Sequence, residues 1–312
     1  MTQALDKAGI TPLQALSESI AATVEKIASS TVALRGRSRH TLGCGVVWRP
    51  AILVTAAHVF GRAPATVSAV TARQAGADLT LVGTDPPTDV AVFRLPDDSL
   101  PAVDLSSSAG VRPGQLAILV GRSLGAEVTA RVSVINRASG AWQTWLGGQL
   151  DRLIRLDAGL HDGLSGAPVA DAAGQVFGMA TSALSRSVGV VVPESTICRI
   201  VDELLAKGHV ARAFLGIGVQ PVSVTDAPSG SADASGLLIT SLLPGGPATQ
   251  AGLLVGDIVL GVAQHRAGSV PELRDALAGN IGKSVHVSLI RGGAPAELDV
   301  MVGQWPAQAR AC

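Results

Sequence analysis

Gly163-Leu164-Ser165-Gly166-Ala167-Pro168 decides how the rest of the chain is read, because Thr55-Ala56-Ala57-His58 and Thr88-Asp89-Val90-Ala91 lie upstream of it. A serine hydroxyl is a poor nucleophile at neutral pH until an imidazole takes its proton. The imidazolium that forms needs a buried carboxylate to hold its tautomer and stabilise its charge. Taken singly, each part has a bland explanation: Gly-x-Ser-Gly is usually a turn, one histidine a satisfied core side chain, one aspartate between strands a turn or cap residue. The joint pattern points elsewhere. Three residues, each in its own local setting and in the order His58, Asp89, Ser165, supply a base, an orienter and a nucleophile.

The local settings carry physical meaning. Ile52-Leu53-Val54-Thr55-Ala56-Ala57 is an apolar, β-branched run, so His58 is expected just past a buried strand, where small residues leave the ring room. Asp89 opens Val90-Ala91-Val92-Phe93-Arg94-Leu95, which reads as another strand and places the carboxylate at its mouth. Around Ser165, Gly163 and Gly166 relax the backbone, so that the amides of Gly163 and Ser165 are expected to converge where the oxyanion of a tetrahedral intermediate develops.

These residues and their order resemble the HtrA (Deg) family of chymotrypsin-like serine proteases, and the similarity runs across most of the chain from about Leu16 onward. Further matching stretches are Gly43-Cys44-Gly45-Val46-Val47, Leu156-Asp157-Ala158 and Val190-Val191-Val192-Pro193. The resemblance implies a mainly β chain: an N-terminal helical segment over 1–30, a double β-barrel protease domain over 31–208 and a PDZ domain over 212–306. It implies an ATP-independent serine endopeptidase that cleaves misfolded or unstructured proteins through an acyl-enzyme, and no cofactor. The nucleophile loop departs from the family's Asn-Pro-Gly-Asn-Ser-Gly-Gly-Pro. Asp162 stands in place of proline, Leu164 in place of an amide side chain, and Ala167 in place of glycine. Ala167 is harmless at negative φ and strained at positive φ. These departures leave a second reading open, a protease-like scaffold that binds peptides without turning them over.

Behind the barrels, Ile197, Ile200, Val201, Leu204 and Leu205 form a helical stripe over Pro193 to Ala206, and Lys207-Gly208 closes it as a basic last turn and C-cap. Phe214-Leu215-Gly216-Ile217 then resembles the carboxylate-binding loop of HtrA-type PDZ domains, and Gly246-Pro247-Ala248 through Gly256-Asp257 resembles their most regular stretch. Such a groove adds an extended peptide to an open sheet edge. A facing helix is expected from Ser269, with a capping box to Glu272. The bland alternative is that Leu215 and Ile217 are merely core residues of a closed β-domain; the resemblance favours the peptide-binding loop.

Composition limits the remaining possibilities. In 312 residues, 24 basic side chains balance 24 acidic ones, aromatics are 3% and glycines number 36, which suits a turn-rich β-protein with one or two helices. No Lys/Arg cluster tracks phosphates, so nucleic acid is not an expected partner; Arg35-Gly36-Arg37-Ser38-Arg39-His40 reads as a solvated hairpin tip. Cys44, Cys198 and Cys312 show no metal or disulfide spacing. His161, His209, His265 and His286 are expected to face solvent. No apolar run is long enough to span a membrane. Met1 to Lys7 lacks the basic and apolar segments of a signal peptide, which favours the cytoplasm, whereas the resemblance favours an extracytoplasmic place. Thr11-Pro12-Leu13-Gln14 reads as a capping box opening a helix with Leu16, Ile20, Val24 and Ile27 on one face. The resemblance also implies a homotrimer, although no aromatic residue lies in the first 47 positions before Trp48 to build the family's usual contact.

Overall fold

Ile52–Ala56 is buried at every position because its alternate side chains enter two different cores. Leu53 points into one barrel, while Ile52, Val54 and Ala56 face a layer outside it. The same split sends Ala91 and Phe93 inward and Val90 and Val92 outward. Strands covered on both faces read as unbroken apolar runs rather than as alternation. The computed structural model describes residues 11–35, 41–60, 67–70, 75–161, 163–224 and 234–305. The N-terminal stretch Met1 to Lys7, most of the basic stretch (36–40), Asp162 and Cys312 lie outside them. The chain divides into two compact units, Met1–Val210 and Ala211–Cys312.

The first unit opens with α1 (Pro12–Ala28) and continues through β1 (Thr31–Arg35), β2 (Thr41–Arg49), β3 (Ile52–Ala56), β4 (Val67–Val70), β5 (Ala75–Asp85) and β6 (Val90–Arg94). These six strands close into a barrel in the order β1-β2-β3-β6-β5-β4. Next come β7 (Leu116–Arg122), β8 (Val128–Ser139), a short hairpin of β9 (Trp142–Gln143) and β10 (Gln149–Leu150), then β11 (Leu153–Leu156), β12 (Pro168–Ala170), β13 (Val176–Thr181) and β14 (Val190–Pro193). A second barrel closes as β11-β14-β13-β12-β7-β8. Trp48, Val54 and Val92 of the first barrel share one buried layer with Ile118, Met179 and Val192 of the second. Onto that layer α2 (Glu194–Lys207) lays Ile197, Ile200, Val201 and Leu204. Gly208 ends α2 at φ 74°, its amide donating to Leu204 O at 2.8 Å. That is the glycine C-cap expected from the sequence.

Thr11 and Gln14 form the reciprocal capping box of α1, but only the far end of the helix is covered. Leu16 was expected on the apolar face, yet it is 47% exposed, and Leu13 is 75% exposed. The barrel supports only the last turns, through Ile20, Val24 and Ile27. Buried Arg122 fastens that end, donating from Nη2 to Ala28 O at 2.6 Å and from Nε to Thr31 O at 2.8 Å. A guanidinium thus satisfies the carbonyl of the helix's last residue, Ala28, and meets the negative end of its dipole, while also holding the first residue of β1.

The second unit contains β15 (Ala213–Phe214), β16 (Ile217–Val224), β17 (Ala234–Leu242), α3 (Pro247–Gln250), β18 (Ile258–Val262), β19 (His265–Arg266), α4 (Val270–Leu277), β20 (Ser284–Arg291), β21 (Ala294–Met301) and β22 (Gly303–Gln304). Its main sheet runs β16-β17-β18-β20-β21. Both rims carry a proline within the strand, Pro221 in β16 and Pro295 in β21. Asp257, 1% exposed, is held by Arg291 through two bonds of 2.8 and 2.7 Å and accepts the Leu254 amide at 2.8 Å. With α1 to α4, the described residues hold more helix than the one or two suggested by composition. The expected capping box of α4 is half formed. Ser269 Oγ accepts the Glu272 amide, but the Glu272 carboxylate takes the amide of Gly268 rather than that of Ser269.

Candidate active site

His58 and Asp89 come from the first barrel, Ser165 from the second. His58 sits in a 3-10 turn, Ala57–Phe60, immediately after β3. Asp89 stands at the mouth of β6, 2% exposed, with its backbone in the left-handed region at φ 60°. Aspartate tolerates that conformation better than most residues. Its carboxylate is saturated with donors: Oδ1 accepts the His58 amide at 2.8 Å, and Oδ2 lies 2.8 Å from His58 Nδ1 and accepts the Thr181 hydroxyl. The Asp89 carbonyl also takes the Ala57 amide at 3.1 Å. The ring therefore presents Nε2 to the cleft.

The loop carrying Asp89 is braced from the second barrel. Thr144 Oγ1, at the tip of the β9–β10 hairpin, donates to Pro87 O at 2.7 Å and accepts the Gly148 amide at 2.9 Å. A Cβ on Gly148 would fall 2.1 Å from Pro87 O, so only glycine lets the two loops approach.

The Ser165 loop is held from beneath. The Cys44 amide donates to Ser165 O at 2.9 Å and the Gly166 amide to Ala180 O at 2.8 Å. Gly166 has φ 89°, and a Cβ there would lie 2.0 Å from Cys44 O. Ala167 is fully buried and is not among the positive-φ residues, so its extra methyl group costs no backbone strain. Leu164 is 7% exposed and packs with Cys44, Ala167 and Leu160. It points into the protein and away from the cleft. Its amide donates to His161 O at 3.2 Å, and Gly163 between them has φ 88°. Such a value at the third position of a four-residue turn favours glycine. Among the described residues no hydrogen bond ends on the Ser165 amide.

Cys44 ties this loop to the N-terminal helix. Its Sγ donates to Gly163 O at 3.0 Å and accepts the Arg122 amide at 3.2 Å, and Arg122 in turn holds the end of α1. Burial pushes the Cys44 thiol up to about 11. It stays a neutral donor at physiological pH.

Two neighbours of these side chains carried no signal in the sequence. Thr181 ends β13, fully buried, and exposed Ser182 follows it. Ser182 Oγ lies 3.1 Å from Ser165 Oγ and 3.4 Å from His58 Nε2. Within the described residues Ser165 Oγ thus bonds Ser182 rather than the imidazole directly. His161, His265 and His286 are exposed as expected, whereas His209 is half-buried, its Nδ1 3.0 Å from Lys207 O just past α2. No cluster of potential metal ligands occurs among the described residues.

In the second unit, Phe214 stacks edge-on against Trp305 at 4.6 Å. Leu215 is 4% exposed in the core and Ile217 packs partly against it. Gly216 turns the chain at φ 79°. The carbonyls of Leu215 and Gly216 are taken by the amides of Ala248 and Leu243 at 2.9 and 2.8 Å, which fixes the loop at the start of edge strand β16.

A trypsin-like peptidase domain is matched over residues 43–179 and a PDZ domain over residues 238–291. A probable periplasmic serine endoprotease DegP-like of Chlamydia pneumoniae is 31% identical over 234 residues, covering 73% of this chain and 48% of that protein. The corresponding protein of Halomonas elongata is 32% identical over 286 residues, covering 86% and 57%. The chain spans about half the length of these curated relatives. Among solved structures, an HtrA-type protease AlgW with decapeptide superposes with a TM-score of 0.75 at 23% identity, over 92% of this chain and 99% of the other. The serine endoprotease from Yersinia pestis does so with a TM-score of 0.73 at 23% identity, over 92% and 98%. Two closed six-stranded barrels followed by a PDZ sheet, with relatives of this kind, place the chain in the HtrA (Deg) family, as a trypsin-like peptidase domain joined to a PDZ domain.

Proposed function

We propose that this chain is a serine endopeptidase of the HtrA type, with 31–208 as the catalytic domain and 212–306 as a peptide-capturing PDZ domain. The observation that carries the reading is the buried Asp89 carboxylate 2.8 Å from His58 Nδ1, with Ser165 on the Nε2 side of the same ring. His58 takes the Ser165 proton as Oγ attacks the scissile carbonyl. It returns that proton to the departing amine, leaving an acyl-enzyme on Ser165, and a water activated by the same imidazole then releases the acid. Asp89 holds the tautomer and stabilises the imidazolium. The amides of Gly163 and Ser165 receive the oxyanion, a role supported by the Ser165 amide, which donates to no group among the described residues, and by the turn geometry at Gly163.

The proposed S1 pocket, taking small or medium apolar side chains, would have apolar Leu160 beside Gly189 on its border. In the PDZ domain, Phe214, Leu215, Gly216 and Ile217 form the carboxylate loop, and C-terminal or extended segments of misfolded proteins add to β16. Relatives named as periplasmic support an extracytoplasmic place of work, and no described helix is long and apolar enough to cross a membrane. Exposed Leu13 and Leu16 support self-association into a homotrimer through α1, and sedimentation of a Leu13→Ser, Leu16→Ser variant tests it.

The competing reading, a peptide-binding scaffold without turnover, draws on the hydrogen bond from Ser165 to Ser182 rather than to His58. A fluorophosphonate probe separates the two. Labelling of the wild-type chain that disappears in Ser165→Ala is expected; no labelling, even with a PDZ-directed peptide present, establishes the scaffold.

A further inference from the structure

Ser182 Oγ contacts both partners of the expected proton transfer, Ser165 Oγ and His58 Nε2. Its position is built by the residue before it. Thr181 leaves β13 with its hydroxyl donating to Asp89 and accepting the Ala183 amide at 3.0 Å. That side-chain turn bends the chain at the strand end and aims Ser182 across the cleft, 3.1 Å from the nucleophile and 3.4 Å from the base. Direct proton transfer requires Ser165 Oγ within about 2.6–3.2 Å of Nε2; among the described residues no hydrogen bond joins the two, and both bond the Ser182 hydroxyl instead.

Two roles are chemically open to such a bridge. A relay passes the Ser165 proton through Ser182 to His58 and needs two short, aligned bonds. A latch holds the nucleophile off the base until something displaces it. Both contacts are longer than the usual 2.7–2.8 Å for hydroxyl pairs and 2.9–3.0 Å for nitrogen–oxygen pairs. Ser182 is also exposed, so its hydroxyl turns out to water at little cost. Length and exposure both favour the latch.

We propose that Ser182 is a positioning residue that parks the Ser165 hydroxyl off His58 Nε2 in the resting protein, and that a peptide substrate entering the cleft displaces it. The inference rests on the triad reading above. The latch is a constraint on the resting state, so its cost falls on substrate binding and on reaction with probes too small to displace it. Once it is open, Ser165 delivers its proton directly to His58.

The test compares wild type, Ser182→Ala and Ser182→Thr for the rate of labelling by a small fluorophosphonate, in which Ser165 Oγ displaces fluoride from phosphorus and its proton passes to His58. One exposed neutral hydrogen bond corresponds to a factor of about 2 to 10, so Ser182→Ala is expected to label about 2- to 10-fold faster than wild type. Ser182→Thr keeps the hydroxyl and is expected to return to the wild-type rate. With a peptide substrate, Ser182→Ala is expected to lower KM by the same factor at unchanged kcat, a split that a merely structural role does not produce. A fall in kcat identifies a relay and overturns the latch, as does an unchanged labelling rate in a wild type that labels. If neither wild type nor Ser182→Ala labels, the triad reading itself fails.

Discussion

Leu164 tests whether the Ser165 loop is ordered from inside. Shortening it to alanine removes three carbons from a site that is 7% exposed and packed with Cys44, Ala167 and Leu160. At about 0.8 kcal/mol per buried carbon the transfer loss is about 2.4 kcal/mol, and incomplete collapse of the cavity brings the total to about 3 kcal/mol. For a unit of this size each kcal/mol moves the midpoint by about 2–4 °C, so calorimetry of the first unit's transition is expected to fall by about 6–12 °C. Leu164→Asn keeps the number of side-chain heavy atoms but strands an amide among apolar neighbours, and a similar loss is expected. Gly163 and Ser165 flank this residue directly. A loop displaced by about 1 Å costs on the order of 100-fold in rate, so probe labelling is expected to slow by about 10- to 100-fold below either variant's melting range. The P1 preference should not change, because the side chain does not reach the cleft. A shifted P1 preference in either variant, with the midpoint within a degree of wild type, refutes this placement.

Thr181→Val removes a donor from the buried Asp89 carboxylate at almost constant volume; hydrogen bonds to charged groups are worth about 1.5–3 kcal/mol, so kcat is expected to fall by about 10- to 100-fold, and an unchanged kcat in steady-state assays counts against the role. With its thiol pushed up to about 11, Cys44 is expected to resist iodoacetamide at pH 8 in the native protein and to react after denaturation, as peptide mass mapping will report. Arg291 beside Asp257 holds that carboxyl below the usual carboxylate range. The second unit therefore gains stability above the unfolded pKa of about 3.9 and loses it as pH falls through the lower folded value. Arg291→Ala is expected to lower that unit's melting midpoint at pH 7 and to flatten its acid dependence, and an acid profile identical to wild type refutes the pairing.

What the sequence made legible is whatever carries its own local chemistry. His58 after a buried strand, Asp89 at a strand mouth, the positive-φ glycines around Ser165, the Gly208 cap and the Thr11 box are all written in short stretches whose geometry follows from residue type. Ser182 was invisible because a serine one residue past a strand end has no pattern; only the turn made by Thr181 aims it. Arg122 was equally silent, since nothing in Leu119-Val120-Gly121-Arg122 tells that its guanidinium will cap a helix more than ninety residues earlier in the chain. The inward turn of Leu164 depends on Cys44 from another barrel, and the exposure of Leu16 on how far the helix outruns its support. Glu272 chose Gly268 over Ser269 by a backbone detail that a capping pattern does not encode.

The two prolines on the rims of the second unit's sheet bear on how copies of the molecule coexist. A strand at the border of a sheet is an invitation to another chain, and natural proteins blunt it where they can. Pro221 has no N–H to offer outward, so an incoming strand finds partners along β16 only from Ile217 to Gln220 before the ladder breaks. Pro295 interrupts the opposite rim in the same way. On the proposed reading, the module would then hold one short peptide at a time while resisting endless stacking of its own kind, and crowded solutions should keep it dispersed.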